Sequence, residues 1–458
     1  MIKLNNIIKN SFSFIAPKIK FFFPDRYFII GAFIFIIFCW NATGTLAPYA
    51  NTSKASLTCT SCDYLINVDH FNFLATFNLI DGKPKYTYEN SVVLRRFLFP
   101  FLAYPFMKFL GFYYGGILAS IIINFLVIFG FSVWIYRSVG KVAGLSTLLL
   151  LITMPGTFYW IGLPYSYTLI VPSTLVLYYL LSKISRTNRL ISHVFYCLLI
   201  GLIFLAYDLW IFFLPALLMI FAFQNWKRIW IAFVCLLPTF IWNYTLSSVF
   251  NITFSNSNTD IYSGLIDAYL IFPQNHFDYS YFTSYLEKIC TVLFSVGPKI
   301  FLYSNFIALP LLFLIGIVFN YFIKSHIHLL LIEKVILLSV VVVFLFINLT
   351  FKQPKGWNLS GDWIARLYQP VFVVYVAYLA RTTSALTSYF LPKIKYIYFY
   401  LASLAIAFNI YIMFGIWIES NFTSKVYYFF YKHSTQTAQI EMIRKYGKKP
   451  IGFCNSFK

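Results

Sequence analysis

Long apolar runs separated by polar intervals dominate this chain. They are read at 27–47, 112–136, 142–159, 165–182, 190–206, 209–223, 229–250, 300–322, 329–350, 366–382 and 396–418. A helix needs about 20 apolar residues to cross the hydrocarbon core. The pattern therefore predicts an all-α, polytopic transmembrane protein of about 11 spans. The run at 27–47 is too long for the apolar core of a cleaved leader, and no small A-x-A-like site follows it at a suitable place, so it is read as a retained signal anchor.

The intervals give the organisation. Residues 1–26 precede the first span, 48–111 form a large first loop, and 112–250 hold a block of helices. A second polar segment follows at 251–299, more helices at 300–418 and a tail at 419–458. In the first loop Phe73, Leu74, Phe77 and Ile80 recur at helical spacing, with Asn72, Thr76 and Asn78 between them. This predicts an amphipathic helix from Asp69 to Ile80 lying on the membrane, ended by Asp81-Gly82-Lys83-Pro84. Phe97 to Leu110 is apolar but carries Pro100 and Pro105 and runs into Gly111, so it reads as a short, proline-interrupted re-entrant or interfacial piece feeding the next span.

Composition agrees with the pattern. The 458-residue chain is 60% hydrophobic and 11% charged, with a mean hydropathy of +0.75; a soluble domain is roughly half apolar. Lys and Arg mark the cytoplasmic side. They precede the first span (Lys3, Lys9, Lys18, Lys20, Arg26) and then occupy alternate loops (Arg137 and Lys141; Lys183, Arg186 and Arg189; Lys227 and Arg228). The N-terminus is thereby placed in the cytoplasm and the loop at 48–111 outside. An odd number of spans puts the Lys-rich tail outside as well; one missed span would reverse that.

Acids, which carry little topological information, then separate by side. Twelve of the 14 fall outside, leaving Asp25 and Glu333 inside. This points to the extracytoplasmic face as the working face, although longer outer loops would also collect acids by size alone. The net charge of +21 accompanies abundant Phe, Tyr, Lys, Ile and Asn. It reads as topology signals and contacts with membrane lipids rather than as a nucleic-acid surface.

The first loop carries most of the candidate chemistry. Asp69-His70 opens the amphipathic helix, where the helix dipole favours a carboxylate. An ionised Asp69 at the bilayer surface is a candidate general base; an N-cap is the competing role. Arg95-Arg96 lies at the outer border of an apolar segment, contrary to the positive-inside trend. Guanidinium groups bind phosphate bidentately, and snorkelling to lipid headgroups is the alternative. Cys59 and Cys62 form a C-T-S-C that reads as a local disulfide, since neither a thioredoxin-like setting nor a full set of zinc ligands accompanies it. Cys39, Cys197, Cys235 and Cys290 lie in or beside apolar runs, where free Cys acts as a small hydrophobe.

One N-terminal span, a large outer loop with an acid before an amphipathic helix, and then V-V-L-R-R-F-L-F-P-F-L-A-Y-P together resemble the GT-C superfamily of integral-membrane glycosyltransferases. Ser360-Gly361-Asp362-Trp363-Ile364-Ala365-Arg366-Leu367-Tyr368-Gln369-Pro370 is similar to the R-Y-x-x-P pattern that opens a late helix in many of them. The resemblance implies an inverting enzyme that takes a sugar from a polyprenyl-phosphate donor on the outer leaflet and passes it to a glycan, lipid or protein acceptor. It implies Asp69 as the base, Arg95, Arg96 and Arg366 at the donor phosphate, and no cofactor or metal. A bacterial inner (plasma) membrane is the expected location. Two departures stand out: Asp69-His70 replaces an acidic or His-Asp pair, and the W-W-D signature of oligosaccharyltransferases is absent.

Other polar residues are candidates for substrate binding. They are His70, Asp208 and Trp210 at an outer hairpin tip, where Trp210 offers a sugar-stacking face, and Asp362, whose i,i+4 spacing to Arg366 also suits a helix-start pair. The second outer segment holds Asp260, Asp267, His276 and Asp278 among Asn, Ser and Tyr. The rival class is a lipid-linked sugar flippase or another multi-pass transporter, whose mark would be ionisable residues deep in the spans.

Overall fold

A computed structural model describes residues 24–44, 76, 80, 94, 96–153, 166–207, 213–250, 313–318, 320–321, 327–339 and 369–390. Its elements are α1 (Arg26–Gly44), α2 (Leu98–Leu110), α3 (Phe112–Ser138), α4 (Lys141–Thr153), a 3-10 turn (Ser166–Leu169), α5 (Ile170–Arg186), α6 (Leu190–Phe204), α7 (Leu214–Asn225), a 3-10 stretch (Trp226–Leu236) and α8 (Leu237–Ser248). Beyond these come α9 (331–339) and α10 (Gln369–Phe390). The described residues are all helical, with no strand among them.

Tyr114–Ser138 and Leu214–Ser248 are long and apolar enough to cross a membrane by length and composition. The second is not one straight rod. Asn225 is extended (φ −162°, ψ 95°) and its side chain accepts a hydrogen bond from the Lys227 N–H at 3.2 Å, so the chain turns where Lys227 and Arg228 stand. α7 then packs on the 3-10 stretch, which runs on into α8. Pro215 and Pro238 sit in the first turns of α7 and α8, where a missing N–H deprives the helix of no bond.

The prolines of α2 do not interrupt it, contrary to the sequence expectation. Pro100 lies in the first turn, whose N–H groups have no intrahelical acceptor, and the helix continues through Pro105. At about 1.5 Å per residue, its 13 residues fall short of a hydrocarbon core of about 30 Å. Gly111 (φ +80°) reverses the chain. α2 then folds back on α3 so closely that a Cβ on Gly115 would collide with the backbone of Phe106 and Met107. The late helix also differs from its reading at 366–382: its described part starts at Gln369 and runs on to Phe390.

One apolar core joins Phe35 of α1, Phe129 of α3, Leu175 of α5, Phe221 of α7, Ile231 and Phe372 of α10. Hydroxyls inside it are bonded locally: Ser132, Thr147 and Ser339 each donate to the carbonyl four residues back at 2.8 Å, so burying them leaves no donor unmet. Cys39, Cys197 and Cys235 are buried in the same core.

The helix ends form two groups. At one end Asp25 pairs with Lys141, Gln224 reaches the Ser185 carbonyl, and Arg228 donates to the Asn188 carbonyl at 2.6 Å. At the other, the start of α2 meets the end of α6 through the Leu98 N–H and the Leu205 carbonyl, 3.1 Å apart.

Candidate functional site

The second end holds the one sequence-predicted site residue that the structure describes. Arg96 is almost wholly buried, at 7% exposure, and its guanidinium lies over the ring of Tyr207 at 4.7 Å from the centroid. Tyr207 is 1% exposed. Such a contact is worth about 0.5–2 kcal/mol depending on desolvation, and it takes Arg96 away from the solvent-reaching conformation that snorkelling requires.

The backbone around Arg96 is fixed from two sides. Upstream, the Trp242 indole N–H donates to the Leu94 carbonyl at 2.9 Å, and Leu94 itself is buried against Leu246. Trp242 also stacks on Phe97, with ring centroids 3.9 Å apart. Downstream, the Leu98 N–H is held by Leu205. Trp242, Leu246 and Phe250 recur every four residues, so one face of α8 and its C-terminal end receives this segment. Phe99, Ala103, Ala119, Leu169 and Ala206 form a small apolar cluster beside it. Next to that cluster Asn124 Nδ2 donates to the Thr168 carbonyl and hydroxyl at 3.2 Å.

Asp69, His70, Arg95, Asp208, Trp210, Asp362, Arg366, Cys59 and Cys62 lie outside the described residues. So does the expected Asp69 to Ile80 helix, apart from Thr76 and Ile80, which are helical. Chain continuity alone relates Arg95 to Arg96 and Asp208 to Tyr207. Sequence reasoning missed Tyr207 and Trp242. In a chain with 36 Tyr and 10 Trp neither stands out, and Trp242 meets Leu94 across 148 positions. Among the described residues no group of three or more His, Cys, Asp or Glu is placed to hold a metal ion.

A second polar cluster lies among α5, α9 and α10. Glu333 is fully buried. Its Oε1 accepts from the Tyr178 hydroxyl at 2.8 Å, and its Oε2 accepts from the Leu330 N–H at 2.9 Å and pairs with Arg381. Arg381 also donates to the His328 carbonyl at 3.3 Å and lies over the Tyr378 ring. The Leu330 contact is the acidic half of a capping box, a third-position Glu reaching back to the cap N–H. Asn320 extends the cluster, its Nδ2 2.9 Å from both the Tyr378 hydroxyl and Thr382 Oγ1. The reading of Glu333 as simply an acid near the inner end of a span did not anticipate these partners.

The Asp25–Lys141 pair shares an end of the bundle with Arg228 and its partners. Partial burial pushes the Asp25 carboxyl up, but the hydrogen bond and charge of Lys141, with the backbone N–H groups of Tyr27 and Arg26, bring it below its ordinary value. The Lys141 ammonium is raised mainly by its hydrogen bond to Asp25. No family model, curated protein or solved structure matches the chain.

Proposed function

We propose that this chain is a multi-pass membrane glycosyltransferase of the GT-C type, which moves a sugar from a polyprenyl-phosphate donor to an acceptor on the extracytoplasmic face. The observation that carries the reading is Arg96: a buried guanidinium, oriented by an aromatic face and by backbone bonds on both flanks. Catalysis of glycosyl transfer from a lipid phosphate requires a fixed cation where negative charge develops on the leaving group. In the proposed step Asp69 takes the acceptor hydroxyl proton, the acceptor oxygen bonds to the anomeric carbon, and the bond from that carbon to the donor phosphate oxygen breaks. The lipid phosphate leaves with the electron pair beside Arg95 and Arg96, with Arg366 as a further phosphate contact. Asp208, Trp210, His70 and Asp362 are assigned to the sugar and acceptor.

The membrane part of the proposal, about 11 spans with the N-terminus in the cytoplasm, draws support from the surface. Phe109 is 87% exposed, Ile191 83% and Phe240 69%, and large apolar side chains on the outside of successive helices suit a lipid solvent better than water. The grouping of Asp25, Lys141, Asn188 and Arg228 at one end of the bundle agrees with the side to which the positive-inside rule assigns those loops.

A transporter is the second reading, and Glu333 favours it. A fully buried acid in an apolar helix, paired with Arg381, is the kind of feature that ion and substrate pathways use. Transfer from radiolabelled polyprenyl-phosphate sugars, measured for the purified protein and its Asp69→Asn variant, separates the two. Turnover lost in a folded Asp69→Asn protein supports the transferase; absence of turnover with movement of sugar-lipid across liposomes supports the transporter.

A further inference from the structure

We infer that Trp242 is a positioning residue for Arg96, holding its guanidinium where the phosphate of a lipid-linked donor binds; this rests on the reading of the Arg96 end as the donor site. Trp242 is not the ring that faces the Arg96 guanidinium, which is Tyr207. It acts through the segment that carries it: the indole N–H holds the Leu94 carbonyl two residues upstream, and the ring stacks on Phe97 immediately downstream. The partners come from α8, far from Arg96 in sequence, and the next constraint comes from α6 through Leu205. The segment that carries Arg96 is thus tied to two helices. A guanidinium recognises phosphate with the N–H groups along its edge, whereas Tyr207 engages its face, so the two contacts do not compete. A part-buried bond between an indole N–H and a carbonyl, combined with an aromatic stack on the adjacent residue, is directional in a way that apolar packing alone is not. This is the arrangement that fixes a side chain rather than merely burying it.

The test is binding of a fluorescent polyprenyl phosphate to the full-length protein in nanodiscs, against the same polyprenol lacking the phosphate. Wild type is expected to prefer the phosphate. Trp242→Phe, which keeps a ring and loses the N–H, should lower that preference by about threefold, the worth of one net hydrogen bond. Trp242→Leu, which loses both contacts, should lower it by about tenfold and approach Arg96→Gln, while polyprenol binding stays unchanged in every variant. A role confined to fold stability would weaken both ligands alike. Full phosphate preference in a folded Trp242→Leu protein overturns the inference and leaves the donor-site reading standing. A wild type without phosphate preference overturns the donor-site reading and the inference with it. Should Trp242→Leu not fold, Trp242→Phe decides: an unchanged preference overturns the inference.

Discussion

Two arginines, Arg96 and Arg381, are held in the bundle in different ways. Arg381 faces a carboxylate whose oxygens are also met by Tyr178 and the Leu330 N–H, and it caps the arrangement with the His328 carbonyl. Arg96 is oriented by the face of Tyr207, while the backbone on either side of it is tied to Trp242 and Leu205. The first cluster satisfies its own charge and so works as a staple between helices. The second orients its guanidinium through an aromatic face and through tied backbone on both flanks. The same residue type therefore serves cohesion in one place and, on the proposed reading, recognition in the other.

The largest effect is expected from breaking the staple. Glu333→Ala leaves the part-buried Arg381 without its carboxylate and should destabilise the protein by about 3 kcal/mol, seen as a lowered denaturation midpoint in detergent. Replacing both members by apolar residues of similar volume should recover most of that loss. If Glu333→Ala instead keeps its stability and loses sugar-lipid movement in liposomes, the staple is a transport element and the contrast between the two arginines fails.

A smaller effect tests the architecture next to Arg96. Gly115→Ala puts a methyl against the backbone of α2 at Phe106 and Met107, where no side chain can swing away. The α2–α3 hairpin must part, at a cost of about 1–3 kcal/mol. Because α2 begins at Leu98, directly after the Arg96 segment, phosphate preference should fall along with stability. Retained stability would mean that α2 is free to shift on α3.

The smallest effect belongs to Asp25 and Lys141. Asp25 is depressed below its ordinary 3.8, so its contribution is fully present above that value and is lost as pH falls through the lower folded value. Lys141 is raised above 10.5, so its contribution is present below that pH and fades as pH rises through the folded value. Lys141 is half exposed, with a side-chain exposure of 53%, which keeps the pair within about 1 kcal/mol. Asp25→Asn should lower the thermal midpoint slightly at neutral pH and not at all in strong acid. An equal effect at both pH values would assign the role of Asp25 to backbone contacts.

Much of the helical layout was legible because apolar runs in a membrane-type chain report segment positions directly. The readings at 27–47, 112–136 and 190–206 overlap Arg26–Gly44, Phe112–Ser138 and Leu190–Phe204 closely. The prolines of Phe97 to Leu110 do not break the segment as expected, since Pro100 lies in a first turn that has no bond to lose and the helix runs on through Pro105; the segment is nonetheless short, at 13 residues, as its apolar run predicts. The polar clusters were largely hidden. Arg96 was a candidate from its place at a span border, but the Tyr207 ring over it and Trp242, which ties its segment, are over a hundred positions away, and Glu333 meets Tyr178 across 155 positions. Periodicity reports which face of a helix is apolar, not which distant helix it will meet.

The most direct test compares Arg96→Gln with wild type in transfer from a radiolabelled polyprenyl-phosphate sugar, with unfolding followed on the same preparations. The account predicts a turnover loss of about a hundredfold or more, with stability lowered by no more than the lost contact with Tyr207, about 0.5–2 kcal/mol. Turnover equal to wild type in Arg96→Gln would contradict it.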